Sequence, residues 1–197
     1  GARDGSRPII EGNECFQNVM AGIGTRGRDT AAVIRDNRCW ENEMSGIGAR
    51  DGAAPLIVGN ECFKNKMAGI GTEKGARAII RGNTCHHNEM AGIGARSGAQ
   101  PGIEDNDCFE NKLAGIGMQN EKTVGLIRSN RCRANKLAGI GIEDSARATV
   151  IGNVCEKNKA TGLGVQKKAH ATLLNNQCIE NGLVAIGVGN GASARIM

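Results

Sequence analysis

The most constraining feature of this sequence is the even spacing of its cysteines. The intervals between consecutive cysteines are 24, 23, 23, 23, 24, 23 and 23 residues. A fixed period of this length indicates one supersecondary unit that is repeated along an axis. The eight cysteines are Cys15, Cys39, Cys62, Cys85, Cys108, Cys132, Cys155 and Cys178.

Other positions repeat in step with the cysteines. One asparagine stands two residues before each cysteine: Asn13, Asn37, Asn60, Asn83, Asn106, Asn130, Asn153 and Asn176. A second stands three residues after it: Asn18, Asn42, Asn65, Asn88, Asn111, Asn135, Asn158 and Asn181. A branched aliphatic residue precedes the first asparagine by three positions, and a Gly-Ile-Gly block follows the second.

The pattern within each unit is typical of strands. Apolar residues recur at alternate positions in short runs, and Asn, Gly and Asp, which tolerate left-handed backbone, interrupt the runs. Each unit is therefore predicted to form about three short strands. Since three strands cannot bury their own apolar side, we expect the units to stack in parallel, with like residues about 4.8 Å apart. Asparagine amides in such a stack can donate to one another along a ladder. The two 24-residue steps indicate one extra residue in a loop.

The repeat resembles the right-handed parallel β-helix units of the pectate-lyase-like superfamily. It is most similar to the N-x-[C/I]-x-x-N-x-x-x-G-I units of NosD-like periplasmic proteins, carbohydrate-binding-and-hydrolysis domains and certain F-box proteins. The resemblance covers the whole chain and implies an all-β, right-handed parallel β-helix of about eight coils. It says little about function, because this fold carries lyases, hydrolases, epimerases and scaffolds without chemistry. Residues 1–197 are predicted to form a single β-helix domain, as a fragment or uncapped module of a longer repeat protein, since neither end carries a cap.

Composition limits the classes of partner. The net charge is +5, and charges of both signs are interspersed. The sequence has no basic cluster accompanied by stacking aromatics, so a nucleic-acid partner is not predicted. No run of 18 apolar residues predicts a membrane span. The predicted partners are a second copy or another protein segment, with polysaccharide as an alternative. The resemblance favours an extracellular or cell-envelope location, whereas free thiols favour a reducing cytosol.

The cysteine column has three interpretations. Free buried thiols that act as small apolar side chains are favoured, because in-register parallel strands rarely offer disulfide geometry. A cross-coil disulfide and a metal or redox role are the alternatives. A linear column does not surround a point as a zinc site requires.

The position after each cysteine is predicted to form an exposed stripe. Its members in the first five coils are Phe16, Trp40, Phe63, His86 and Phe109. One interpretation is that the rings stack on one another and shield the strands. The others are contact with a partner or parent segment and binding of a glycan.

A second surface and the ionisable residues complete the sequence-based candidates. Alternation predicts that both glycines of each Gly-Ile-Gly block point outward, giving a flat face that could accept a partner. His86 and His87 are expected to share no site with His170, and Asp105 and Asp107 are interpreted as turn formers. No catalytic residue, cofactor or metal site is predicted. The favoured function is a non-catalytic structural or binding solenoid that assembles end to end or through flat faces. The alternative is a polysaccharide-binding or polysaccharide-modifying domain, with lyase-like or epimerase-like catalytic residues outside this chain.

Overall fold

A computed structural model describes all of residues 1–197. The chain forms a parallel β-solenoid of about eight coils, in which twenty-six short strands build three parallel sheets. Each sheet receives one strand from each coil, and no strand pairs with its neighbour in sequence. The predicted all-β architecture with three strands per coil is confirmed.

We number the strands in chain order and name the sheets A, B and C. Sheet A contains β1 (Ala2–Arg3), β4 (Ile23–Arg26), β7 (Ile47–Arg50), β10 (Ile70–Glu73), β13 (Ile93–Arg96), β16 (Ile116–Gln119), β19 (Ile140–Ile142), β22 (Thr161–Val165) and β25 (Val184–Val188). Sheet B contains β2 (Ile9–Glu11), β5 (Val33–Arg35), β8 (Leu56–Val58), β11 (Ile79–Arg81), β14 (Gly102–Glu104), β17 (Val124–Arg128), β20 (Arg147–Ile151), β23 (His170–Leu174) and β26 (Ser193–Ile196). Sheet C contains β3 (Glu14–Phe16), β6 (Arg38–Trp40), β9 (Glu61–Phe63), β12 (Thr84–His86), β15 (Asp107–Phe109), β18 (Arg131–Arg133), β21 (Val154–Glu156) and β24 (Gln177–Ile179).

The register stacks identical residues. In sheet C, β12 pairs Cys85 with Cys62 on one side and with Cys108 on the other. In sheet A, Ile93 pairs with Ile70 and Ile116 in the same way. The axial rows that the 23-residue period predicts are therefore present in all three sheets.

The core is a narrow column of small and branched side chains. All three sheets point side chains inward, including Ile57, Cys62 and Ile70, which are fully buried, and sheet A points a second row inward that contains Ala49 and Met118. Where Met118 replaces a smaller inward residue, Gly125 faces it, and a Cβ on Gly125 would lie 2.8 Å from the Met118 methyl group. Size changes in one sheet are thus compensated in the next, as close packing of the interior requires.

Two asparagine ladders close the corners at either end of sheet C. The amide nitrogen of Asn60 donates to Asn83 Oδ1 in the next coil (3.0 Å) and to the carbonyl of Ile34 (3.0 Å) in the preceding coil. In the second ladder, Asn65 donates to Asn88 Oδ1 (3.0 Å) and to the carbonyl of Cys39 (3.0 Å). The ladder amides therefore satisfy buried carbonyls that the sheets leave free.

The two longer units place their extra residue in the loop between sheets A and B, where each has a buried threonine. The Thr30 hydroxyl donates to the carbonyl of Arg26 (2.9 Å) and accepts from the backbone of Gly5 (3.1 Å). Thr123 makes the equivalent bonds with Gln119 (2.8 Å) and Gly98 (3.0 Å). The insertion expected from the period is therefore confined to one corner, where it is anchored to the preceding coil.

Candidate functional site

Most of the cations that lack a carboxylate partner lie at one corner of the solenoid. They sit in the tight loops between sheets A and B and at the start of sheet B, and all are exposed. We call this set the cationic corner: Arg7, Arg28, Lys74, Arg77, Lys122, Arg147 and Lys168. Several loop residues here, such as Lys74 and Lys122, have positive φ (51° and 68°), which turns the chain sharply and points side chains into solvent.

Charges elsewhere on the surface are largely paired between coils. Arg35 lies 2.9 Å from Glu11, and Lys66 lies 2.6 Å from Glu43. No carboxylate lies within 4.0 Å of a cationic-corner nitrogen, while the neighbouring acids Asp51 and Glu143 are taken by Arg26 and Lys167. The seven cations outnumber the two free acids in the same loops, Asp29 and Glu121, so the cationic corner carries a net positive charge.

A groove follows this corner over the first four coils. It has a volume of about 800 Å³, and its charged lining residues are the cations Arg7, Arg28, Lys74 and Arg77 and the acids Asp29 and Asp51. A second depression of about 490 Å³ lies farther along the same corner beside Lys168. The linear sequence conceals this surface, because the cations occupy different loop positions and only stacking of the loops brings them together.

The predicted exposed stripe forms a continuous ladder of stacked rings on sheet C. Centroid separations are 4.5 Å for Phe16–Trp40, 5.7 Å for Trp40–Phe63, 5.0 Å for Phe63–His86 and 4.8 Å for His86–Phe109, with planes within 10° of parallel. The Arg133 guanidinium covers the last ring at 3.9 Å from the Phe109 centroid. The faces of the inner rings are therefore covered by neighbouring rings, and only the ring edges point outward. This is the arrangement in which the rings stack on one another.

Sheet C also brings together two histidines and two glutamates from consecutive coils. His87 has positive φ (55°), so its ring folds back to place its Nδ1 2.8 Å from Nδ1 of His86. His86 Nε2 lies 3.4 Å from Glu61, and His87 Nε2 lies 2.7 Å from Glu110. Because each Nε2 faces a carboxylate acceptor, a neutral ring carries its proton there, and a hydrogen bond between the two Nδ1 atoms requires that one ring also be protonated at Nδ1. Burial lowers the pKa of His86, although its contact with Glu61 opposes the shift. His170 begins β23 in sheet B, so it is remote from this cluster.

The interpretation of Asp107 as a turn former is wrong. Asp105 lies at the bend with positive φ (54°), but Asp107 lies on β15 and faces outward. Its carboxylate is 3.0 Å from Arg133. Asp107 Oδ1 and Arg133 Nε are both buried without a hydrogen-bond partner. Because strand alternation decides the direction of residue 107, its place next to Asn106 was a misleading signal.

The prediction that both glycines of each Gly-Ile-Gly block face outward is also wrong. The first glycine turns inward at the corner: a Cβ on Gly92 would lie 2.8 Å from the Gly115 carbonyl oxygen and 2.9 Å from the Asn111 amide nitrogen. The second glycine, such as Gly94, does face outward, and its nearest neighbour would be the Ala68 Cβ at 3.6 Å. The flat face therefore comes from the second glycine alone.

All eight cysteines are free thiols, six of them buried, with Cys15 and Cys178 partly exposed. The hydrogen bond with Cys39, together with burial, raises the pKa of the Cys62 thiol well above its usual value. The pKa values of Cys85, Cys108 and Cys132 are raised in the same way, so these four buried thiols stay protonated near neutral pH. Cys155 is the exception, because hydrogen bonds with Cys132 and Cys178 lower the pKa of its thiol to about 5. No group of three or more His, Cys, Asp or Glu side chains has an arrangement suited to a metal ion. No helix in the structure is long and apolar enough to cross a membrane.

The profile of the family described as "Right handed beta helix region" matches residues 21–178. The chain belongs to the right-handed β-helix family. A search of curated protein sequences gave no match to this β-helix.

Two similar solved structures share the fold. The periplasmic alginate epimerase AlgG has a TM-score of 0.65 and 19% sequence identity, covering 98% of this chain and 49% of that protein. The A-module of the Azotobacter vinelandii mannuronan C-5 epimerase AlgE6 has a TM-score of 0.68 and 15% identity, covering 90% of this chain and 64% of that one. The β-helix thus spans about half to two thirds of the length of these neighbours.

Proposed function

We propose that this β-helix is a non-catalytic binding module for an acidic polysaccharide, which lies along the cationic corner. The observation that carries the proposal is the row of cations without carboxylate partners, over a groove parallel to the solenoid axis. The names of the two structural neighbours give alginate and mannuronan as what those proteins act on. Both are acidic polysaccharides, so the charge of this corner suits the same class of polymer.

The repeat of the scaffold suits an extended ligand. Successive coils are about 4.8 Å apart, so cations on stacked loops form a row that a polyanion can follow over several coils. Each exposed ion pair contributes at most about 1 kcal/mol, so useful affinity requires several simultaneous contacts. A short ligand would therefore bind poorly and a long one well.

The aromatic ladder supports a different role. Flat stacking of a sugar on an aromatic ring needs a free ring face, and the faces of Trp40, Phe63 and His86 are covered by neighbouring rings. We assign this ladder to stabilisation of sheet C, where each stacked pair contributes about 0.5–1.5 kcal/mol beyond its buried area.

The test compares two double variants of equal charge. Lys74→Gln/Arg77→Gln removes two cations from the groove, whereas Lys136→Gln/Lys159→Gln removes two exposed cations, also without partners, at another corner. Binding of uronate oligosaccharides is measured by calorimetry, with a neutral glucan as the ligand control. We expect roughly tenfold weaker binding for the groove variant and a change below about twofold for its control. Equal losses in the two variants, or equal binding of the neutral glucan, would exclude the cationic corner as the site.

A second candidate, polysaccharide modification, rests on the ionisable groups of sheet C. Glu61, His86 and His87 form one contact chain, and Asp107 with Arg133 lies in the neighbouring coils. A histidine whose pKa is lowered is neutral near pH 7 and can accept a proton. The test is incubation with polyuronate while following unsaturated products and uptake of solvent deuterium. If the parent chain turns over polyuronate and His86→Gln does not, catalysis by this cluster replaces the non-catalytic proposal.

A further inference from the structure

The outer face of sheet B carries an unpartnered row of aliphatic side chains. We call it the aliphatic stripe: Ile9, Val33, Leu56, Ile79 and Leu126, with Gly102 in register between the last two. Ile9 is 64% exposed, Leu56 37% and Ile79 48%. Contiguous exposed apolar residues on a sheet face mark an interaction surface more often than scattered ones do.

A row of alternating charges runs beside the aliphatic stripe. In coils one to six its members are Glu11, Arg35, Val58, Arg81, Glu104 and Arg128. Read in reverse, the row places each acid opposite a base: Glu11 meets Arg128, and Arg35 meets Glu104. The remaining pair, Val58 with Arg81, places an apolar side chain against an arginine stem.

We propose that this face binds a second copy of the chain, with the two solenoids antiparallel and a two-fold axis between coils three and four. A two-fold axis along the strand direction keeps each row opposite itself and reverses the order of the coils, as an isologous interface requires. Coil one then faces coil six, coil two faces coil five and coil three faces coil four. Two acid–base pairs, each formed twice by the symmetry, are the observation that selects a second copy as the occupant. They add to the pairs that Glu11 makes with Arg35, and Glu104 with Arg81 and Arg128, within one chain.

The aliphatic stripe is complementary to itself in the same arrangement. Leu56 meets Ile79 at the centre, and Ile9 meets Leu126 at the periphery. Val33 meets Gly102, so a branched side chain faces the one position of the row without a side chain. Side chains of unequal size therefore oppose one another, as interdigitating packing needs.

Neighbouring registers are disfavoured by charge. A shift of one coil in one direction places Arg35 opposite Arg128, and a shift in the other places Glu11 opposite Glu104. Like charges directly opposed across a face are destabilising. The charge row thus specifies one register. A face that was only apolar would not distinguish between neighbouring registers.

The size of the face predicts a weak dimer. Six coils at about 4.8 Å and five residues of strand at about 3.3 Å give a face of roughly 450 Å² per copy, or about 900 Å² in total, which lies in the transient class. The two cationic corners also come to lie along one edge, where they repel each other at low ionic strength. We therefore expect association at near-physiological salt and high protein concentration. The inference does not rest on polysaccharide binding, because neither the aliphatic stripe nor the charge row contains a residue of the cationic corner. Arg7 and Arg77 lie two residues before Ile9 and Ile79, at the edge of the proposed contact.

The first test is sedimentation of two matched variants. Ile79→Glu places a charge at the centre of the proposed interface, while Leu137→Glu does so at a residue of nearly equal exposure (49% against 48%) beside sheet A. At about 0.15 M salt we expect Ile79→Glu to weaken the dimer about a hundredfold, because each substitution is present twice. Leu137→Glu should leave it unchanged. A monomer at all concentrations up to about 1 mM, or a dimer that tolerates Ile79→Glu, overturns the proposal.

The second test establishes the register without relying on a destabilising change. Chains carrying Ile9→Cys and Leu126→Cys are mixed and treated with a short thiol cross-linker, with the unsubstituted chain as the background control for Cys15 and Cys178. We expect cross-linked dimers in the mixture and none above background in either variant alone, since like positions are then about five coils apart. Equal cross-linking in a single-variant sample would refute the antiparallel register.

Discussion

Each Gly-Ile-Gly block contains two glycines with different physical roles. The first lies where the chain turns from the second asparagine ladder into sheet A, facing the cysteine and asparagine rows of the next coil. The second lies on the strand with its missing side chain directed outward. In the sequence the two glycines recur with equal regularity. In the structure, the atoms around the first glycine are much closer than those around the second.

A matched pair of alanine substitutions separates these roles. In Gly92→Ala the new Cβ would lie 2.8 Å from a backbone oxygen, 2.9 Å from the Asn111 amide and 3.1 Å from the Cys108 Cβ. Backbone and ladder must shift, so we expect a loss of about 1–3 kcal/mol in the free energy of unfolding. Gly94→Ala meets only the Ala68 Cβ at 3.6 Å, and we expect a change within about 0.5 kcal/mol. Urea unfolding at equal m-values measures both, and comparable losses would contradict the inward placement of the first glycine.

At the scale of an element, most of the central thiols of the cysteine row share a raised pKa, whereas the pKa of Cys155 is lowered. Hydrogen bonding between neighbouring thiols and burial raise the pKa values of Cys62 and Cys132 well above the ordinary thiol value. The folded chain therefore keeps protons on these groups that the unfolded chain releases as pH rises. A raised folded pKa gives stability that is complete below the unfolded pKa and declines above it.

We therefore expect stability to fall above the ordinary thiol pKa of 9.0. Each thiol that stays protonated in the fold costs up to about 1.4 kcal/mol per pH unit there, because only the unfolded state ionises. Cys85→Ala removes one such group, since the pKa of Cys85 is also raised well above 9.0. Denaturant titrations between pH 8 and 10.5 should show a shallower decline for this variant than for the parent, although its stability at pH 8 is lower because of the cavity. Identical pH slopes would mean that the thiols are not held protonated.

The strands and ladders follow from the sequence because they obey the period, whereas the surface sites do not. In-register stacking requires only that equivalent residues recur, so Cys85 opposite Cys108 could be predicted from spacing alone. The left-handed bend at His87 recurs at the equivalent position of every coil, from Gln17 to Glu180, but the contact between His86 and His87 exists only where two histidines occupy the last strand position and the bend. The cationic corner depends on loops of unequal length, in which no single column holds the cations. The proposed binding surface therefore lies in positions that the repeat leaves free to vary.

At the scale of the whole molecule, the coils are alike in contacts but not in burial. Asn83, in the fourth coil, is 1% exposed, whereas Asn13 in the first coil is exposed. Each coil contacts only its neighbours, so stability is approximately a sum of coil and interface contributions. The effect of removing one ladder member should then depend on its place along the axis.

Alanine at Asn83 and at Asn13 tests this dependence. Asn83 donates to Ile57, Arg81 and Asn106, all at 3.0 Å, and its Oδ1 accepts from the side chain of Asn60. The substitution leaves buried donors and acceptors in two coils without hydrogen-bond partners. We therefore expect the free energy of unfolding to fall by about 3 kcal/mol or more.

Asn13 offers the matched control, because it donates to Glu11 (2.9 Å) and Asn37 (3.0 Å) while no other side chain donates to it. Water can replace those bonds at an exposed position, and we expect a loss of about 1 kcal/mol. Because a central break divides the stack, hydrogen exchange in Asn83→Ala should rise on both sides of the fourth coil, while Asn13→Ala should affect the first two coils alone. Equal losses with uniform exchange would show that the coils unfold as one unit, in which the position along the axis has no energetic meaning.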